Sequence, residues 1–194
     1  MSKKIVLASG NKGKIREISG MLKGYEVIGY KELGIDIEIE ENGSTFYENA
    51  LIKAKTISDM INLPVLADDS GLMVEALGGA PGIYSARYAG DGVDEHNNQK
   101  LLEVLKGEEN RKAKFVCSMV LYFPNGKILS TYGETKGKIL ESPQGEEGFG
   151  YDPLFYSLDL NKSLGIASFE EKNTISHRFR ALKQMKELMD KEEI

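Results

Sequence analysis

Apolar positions along the chain follow two different periods. Four segments repeat at the three-to-four spacing of a helix, and the clearest covers residues 45–62, where Phe46, Ala50, Ala54, Ile57 and Ile61 recur on one face. Ser44 or Thr45 can cap its start, and Pro64 follows its end. A second helix is predicted over 176–189, with Phe179, Leu182, Met185 and Met189 facing inward; two more lie near 13–22 and 95–105. Short β-rich runs at 5–8, 65–67, 114–123 and 128–135 predict strands, the last two joined by the turn Pro124-Asn125-Gly126. A strand-helix-strand start followed by a hairpin implies an α/β fold built on a mixed sheet.

The chain has 194 residues, enough for one domain or for two small lobes sharing a core. No repeat or linker divides it, so residues 1–194 are expected to form a single functional domain. Its net charge of −5 argues against a general nucleic-acid binder, which needs a positive surface. The lone Cys117 sits in the apolar run 115–120 and reads as a small buried hydrophobe. The apolar run after Lys3-Lys4 is too short for an export signal, and no stretch approaches the ~20 residues of a membrane span. Neither a membrane nor a nucleic acid is therefore expected as a partner, and the expected location is cytoplasmic.

The 21 glycines cluster beside polar residues. Ser9-Gly10-Asn11-Lys12-Gly13-Lys14 follows a strand and opens a helix, an arrangement that supplies backbone N–H groups, a helix N-terminus and two lysines to a polyphosphate. It is not a Walker loop, because Ala8 stands where that pattern has glycine and Ile15 where it has Ser or Thr. Glu40-Glu41 precedes the long helix, and Asp68-Asp69-Ser70-Gly71 follows a strand. Adjacent carboxylates at a strand end call for a cation, and a divalent metal held by Glu41 with Asp68 or Asp69 plus substrate phosphates answers that need; a solvated turn is the plainer reading. Lys53 lies on or beside the buried stripe of the long helix, where it either reaches a phosphate or snorkels to solvent. Gly148-Phe149-Gly150-Tyr151-Asp152 presents a ring that can stack on a base, or else fills core. Lys172, His177 and Arg178 add donors near a helix start.

Taken in order, these blocks, together with Thr45-Phe46-Tyr47-Glu48-Asn49-Ala50 and the segment Gly78-Gly79-Ala80-Pro81-Gly82-Ile83-Tyr84-Ser85-Ala86-Arg87, closely resemble the inosine triphosphatase family over residues 5–182. The resemblance implies a long mixed central sheet flanked by helices, in two lobes with a substrate cleft between them, usually as a homodimer. It implies Mg²⁺-dependent hydrolysis of ITP, dITP and XTP to the monophosphate and pyrophosphate. Residue by residue, it places the phosphate loop on Ser9, Gly10, Asn11, Lys12, Gly13 and Lys14, the metal ligands on Glu41 and Asp69, and the general base also on Asp69. Ser70 matches a substrate contact; Phe149, Gly150, Tyr151 and Asp152 match the base loop; Lys172, His177 and Arg178 complete recognition of a 6-keto purine. Lys53 joins Lys14 and the metal in balancing charge on the departing pyrophosphate. The rival readings are a Maf-like pyrophosphatase acting on pyrimidine or modified nucleotides, and a nucleotide sensor without turnover.

Overall fold

The computed structural model describes residues 3–192. One sheet of seven strands carries the fold: β1 (Lys3–Leu7), β2 (Tyr25–Gly29), β3 (Val65–Val74), β4 (Lys112–Tyr122), β5 (Ile128–Ile139), β6 (Phe155–Ser157) and β7 (Lys162–Ser163), in spatial order β2-β1-β3-β4-β5-β6-β7. β1 runs parallel to both β2 and β3, and β6 runs antiparallel to β5 and β7. Parallel pairs need crossover connections. The helices α1 (Lys12–Met21) and α2 (Phe46–Ile61) lie in them, while α3 (Asp94–Val104), α4 (Phe169–Ile175) and α5 (His177–Lys191) follow later in the chain. Among the described residues, no helix is long and apolar enough to cross a membrane.

The chain divides into two compact units, the first made of residues 1–69, 117–133 and 178–194, the second of 70–116 and 134–177; the divisions fall within β3, β4, β5 and the first turn of α5. In the first unit, strand alternation sorts side chains onto two faces. Ile5, Leu7, Leu66, Cys117, Met119 and Leu121 pack with Ile18 and Leu22 near α1 and with Ala181, Leu182, Met185 and Met189 of α5. Their neighbours Val6, Ala8, Val65, Ala67, Val120 and Tyr122 pack instead with Ala50, Ala54 and Ile57 of α2. The second unit has its own core, centred on Leu72, Leu101, Phe115, Leu154, Phe155 and Leu164.

The predicted helices and hairpin are present, with three differences. β3 does not stop at Ala67 but continues to Val74, so Asp68-Asp69-Ser70-Gly71 is strand rather than turn. The buried stripe of α5 is Arg178, Ala181, Leu182, Met185 and Met189, with Phe179 only half-buried. A stripe begun one residue earlier places the arginine inward, because successive helical residues differ by about 100° around the axis. Finally, β2, β6, β7 and α4 carry too little periodic pattern to have been predicted.

Candidate active site

The continuation of β3 decides the electrostatics of the first unit. Because side chains alternate along a strand, Asp68 shares the face of Leu66 while Asp69 shares that of Ala67. The two adjacent carboxylates therefore look into different surroundings. On one face, Lys14 of α1 reaches Asp68 Oδ2 at 3.1 Å, and Arg178 of α5 donates from Nε to the same oxygen at 3.4 Å. Arg178 also donates from Nη1 to Glu17 of α1. All three of Glu17, Asp68 and Arg178 are buried. Burial alone would raise the Asp68 pKa, but Lys14, Arg178 and Lys53 outweigh it and hold the carboxylate well below its ordinary range.

On the other face, α2 supplies Lys53 and Asn49. Thr45 caps this helix by accepting the Glu48 N–H, and Glu48 in turn accepts from the Ser44 N–H. The buried Asn49 amide donates to Asp69 Oδ2 at 3.2 Å, while its oxygen accepts the Gly43 N–H at 2.8 Å. A Cβ at position 43 would lie 2.7 Å from that same oxygen, so only glycine lets the chain after Glu41 approach the helix this closely. Lys53 Nζ sits 3.0 Å from Glu41 Oε2 and 3.7 Å from Asp69 Oδ1. Burial opposes its charge, yet Asp69, Asp68 and Glu41 prevail and raise its pKa. Asp69 shows the converse: burial, with the charge of Glu41 adding to it, outweighs Lys53 and raises its pKa.

The Glu41–Lys53–Asp69 arrangement bears on metal binding. Two carboxylates converge on one cationic atom, and their donors are hard oxygens. That set suits Mg²⁺, which takes one or two protein carboxylates and completes its shell with water and phosphate oxygens. Among the described residues, no cluster of three or more His, Cys, Asp or Glu side chains could hold a metal by itself. Such a site depends on the ligand for the rest of its oxygens.

The loop before α1 lies where the sequence puts it. Asn11 Oδ1 caps the helix by accepting the Lys14 N–H at 3.1 Å, and Ser9 Oγ accepts the Asn11 N–H at 3.1 Å. These two side chains hold the loop in shape, and residues 10–13 are exposed around an electropositive helix start. The stem of Lys31 packs close to Gly10, which adds a third lysine to the neighbourhood.

In the second unit, Phe149 stands 41% exposed between two glycines, with Lys172 Nζ 4.4 Å above its ring. Lys172 also donates to Asp152 Oδ2 at 2.7 Å, and the same oxygen accepts the Phe149 N–H at 3.0 Å. Asp152 thus holds both the ring's backbone and the lysine above it. His177 is buried and stacks on Phe115, ring centroids 5.1 Å apart. Ser70, expected to touch substrate, is half-buried on β3.

Two of the expected base contacts are buried and hydrogen-bonded within the protein. Tyr151 is buried and its hydroxyl donates to the Ser85 carbonyl at 2.7 Å, so it anchors the loop to the core. Arg178 is 1% exposed and its guanidinium is engaged by Glu17 and Asp68. Sequence reasoning gave Glu17 and Asn49 no role. Glu17 had a legible signal, a carboxylate beside Ile18 on the inward side of α1, which requires a buried partner.

Cys117 is fully buried on the Asp68 face, its Sγ 4.0 Å from Asp68 Oδ2, and burial pushes the thiol up to about 12. In the native protein it should therefore resist a thiol reagent at pH 8 and react at the ordinary rate only after denaturant is added. The raised value also means that its contribution to stability is complete below the ordinary 9.0 and is lost as pH climbs toward 12. Prompt labelling of the native protein at pH 8 would contradict this burial.

Fold and site together describe an α/β protein whose first unit brings two carboxylates onto Lys53 and has a lysine-bearing helix start, and whose second unit carries an exposed aromatic ring. Comparison with known proteins places it more narrowly. The chain belongs to the Ham1 family, whose sequence model matches residues 5–188. It is 46% identical over 193 residues to the dITP/XTP pyrophosphatase of Bacillus licheniformis, covering 97% of this chain and 98% of that protein. It is 47% identical to the dITP/XTP pyrophosphatase of Clostridium perfringens, covering 95% and 96%. Among solved structures, the Staphylococcus aureus Ham1 protein matches with a TM-score of 0.90 at 44% identity, covering 98% of this chain and all of the other.

Proposed function

We propose that this chain is a dITP/XTP pyrophosphatase: it hydrolyses ITP, dITP and XTP to the monophosphate and pyrophosphate and so cleans the cytoplasmic nucleotide pool. The observation that carries the reading is the convergence of Glu41 and Asp69 on Lys53. It provides two hard ligands and a partly buried ammonium at one place, as cleavage of a phosphoanhydride requires.

Triphosphate oxygens engage the loop of Ser9, Gly10, Asn11, Lys12 and Gly13, together with Lys14. Glu41 and Asp69 would hold Mg²⁺, which when bound supplies charge neutralisation on the phosphates. Asp69 also takes the proton of the attacking water, and Asn49 keeps one of its oxygens oriented. Lys14 and Lys53 balance charge on the departing pyrophosphate. Ser70 touches the bound nucleotide. The purine stacks on Phe149 at the Gly150 turn of the loop that Tyr151 anchors, while Lys172, His177 and Arg178, with Asp152 behind the lysine, recognise its 6-oxygen. Residues 1–194 act as one catalytic domain, and the active species is a homodimer.

A panel of ITP, dITP, XTP, GTP, ATP and dTTP with Mg²⁺, distinguishing pyrophosphate from orthophosphate, tests the reading. Expected is pyrophosphate from ITP, dITP and XTP, with kcat/KM for ATP lower by at least ~10-fold because a donor aimed at a 6-oxygen is left unpaired against an amino group. Turnover of dTTP alone would favour a Maf-like enzyme, and tight ITP binding without turnover would make the protein a sensor.

A further inference from the structure

The segment 141–149 is exposed throughout, so apolar burial does not hold the Phe149 ring in place. Its foot is tied by backbone bonds from Gln144 N–H to the Pro153 carbonyl and from Glu147 N–H to the Gly165 carbonyl, both 2.8 Å. Its tip is held by side chains. The Gly150 N–H donates to Asp94 Oδ2 at 2.8 Å, and the Gly150 carbonyl accepts from Asn98 Nδ2 at 3.0 Å. Asp94 and Asn98 are four residues apart, one turn of α3, and so present their polar ends side by side. Together they grip both polar groups of one residue, which adopts a left-handed φ of 61° immediately after the exposed ring.

α3 is itself fixed from its buried side. Asn97 accepts the Ala89 N–H at 2.7 Å and donates to the Ala86 carbonyl at 3.1 Å. A pocket of about 500 Å³, lined by Asp94, Asn98, Leu102, Phe149 and Pro153, opens beside the tip. On that side the tip has open space in place of packing, so these two hydrogen bonds, together with that of the Phe149 N–H to Asp152 Oδ2, set where the ring stands.

We infer that Asp94 and Asn98 are positioning residues for purine binding, setting the Phe149 platform through the Gly150 peptide. This rests on the reading that Phe149 receives the base. Loosening the clamp leaves the triphosphate machinery intact but makes the platform pay an ordering cost when the base arrives. That cost raises KM without slowing chemistry.

The test compares wild type with Asp94→Ala, Asp94→Asn, Asn98→Ala and Phe149→Ala in ITP hydrolysis, with inorganic tripolyphosphate as competitive inhibitor and thermal unfolding as a control. Expected for Asp94→Ala and Asn98→Ala is an ITP KM raised roughly 5- to 10-fold, with kcat within about twofold, as loss of one hydrogen bond predicts. Inhibition by tripolyphosphate should be unchanged. Asp94→Asn keeps an acceptor for the Gly150 N–H and should stay near wild type, which a general charge effect would not allow. If Phe149→Ala raises KM while both alanine variants of α3 leave it unaltered, the clamp is overturned and the base reading stands. If Phe149→Ala itself leaves KM unaltered, the base reading fails and the inference with it. A parallel loss of kcat, tripolyphosphate affinity and melting temperature in the alanine variants would also overturn it, since that pattern marks a structural role.

Discussion

Asp69→Asn should lower kcat for ITP by at least ~100-fold while leaving the fold intact. The change is nearly isosteric, and the Asn49 amide and Lys53 remain in place around it. It removes the proton acceptor for the attacking water and one of the two carboxylates that converge on Lys53. Loss of general-base assistance typically costs 10²–10⁴-fold, and a weakened metal site adds to that. Two measurements separate the parts: the Mg²⁺ concentration for half-maximal rate should rise, and saturating Mg²⁺ should not restore kcat. Turnover within tenfold of wild type at saturating Mg²⁺ would remove Asp69 from the role of base.

Arg178→Met should destabilise the protein by about 3–5 kcal/mol, the range for breaking a buried ion pair by deleting one partner. The substitution suits the volume of the site but removes the cation that joins two buried carboxylates, Glu17 and Asp68. Lys14 still faces Asp68. Urea unfolding measures the effect. Arg178→Lys, which keeps a charge but loses the planar fork, should fall between the two and guards against a methionine variant that does not fold. A loss under about 1 kcal/mol in the methionine variant would mean that the network does not support the fold.

How far the sequence carries can be seen in particular residues. The α2 stripe and the β4–β5 hairpin were legible because their periods are long and uninterrupted. β2 was not, being five residues confined between Gly24 and a 3-10 turn and, among the described residues, at the sheet edge beside β1. Asp68 and Asp69 were legible as a chemical signal but placed after the strand instead of within it, because polar residues in a strand look like its end. Only the cations brought by α1, α2 and α5 make a strand tolerable there, and those are tertiary facts. The charge of Arg178 announces a donor, and its position one step ahead of Phe179 turns that donor inward. Asp94, Asn98 and Asn49 act through backbone groups or carboxylates far away in sequence, which no local pattern announces.

The alternation of β3 also constrains how this chain can vary in length. Removing a single residue just before Asp68 would leave every charged group in the protein, yet it would rotate each following side chain to the opposite face. Asp69 would then meet Lys14 and Arg178, and α2 would face Asp68 followed by the hydroxyl of Ser70. Within 65–69, a gap should therefore be more damaging than most substitutions, and insertions tolerated by this family should be sought in its loops.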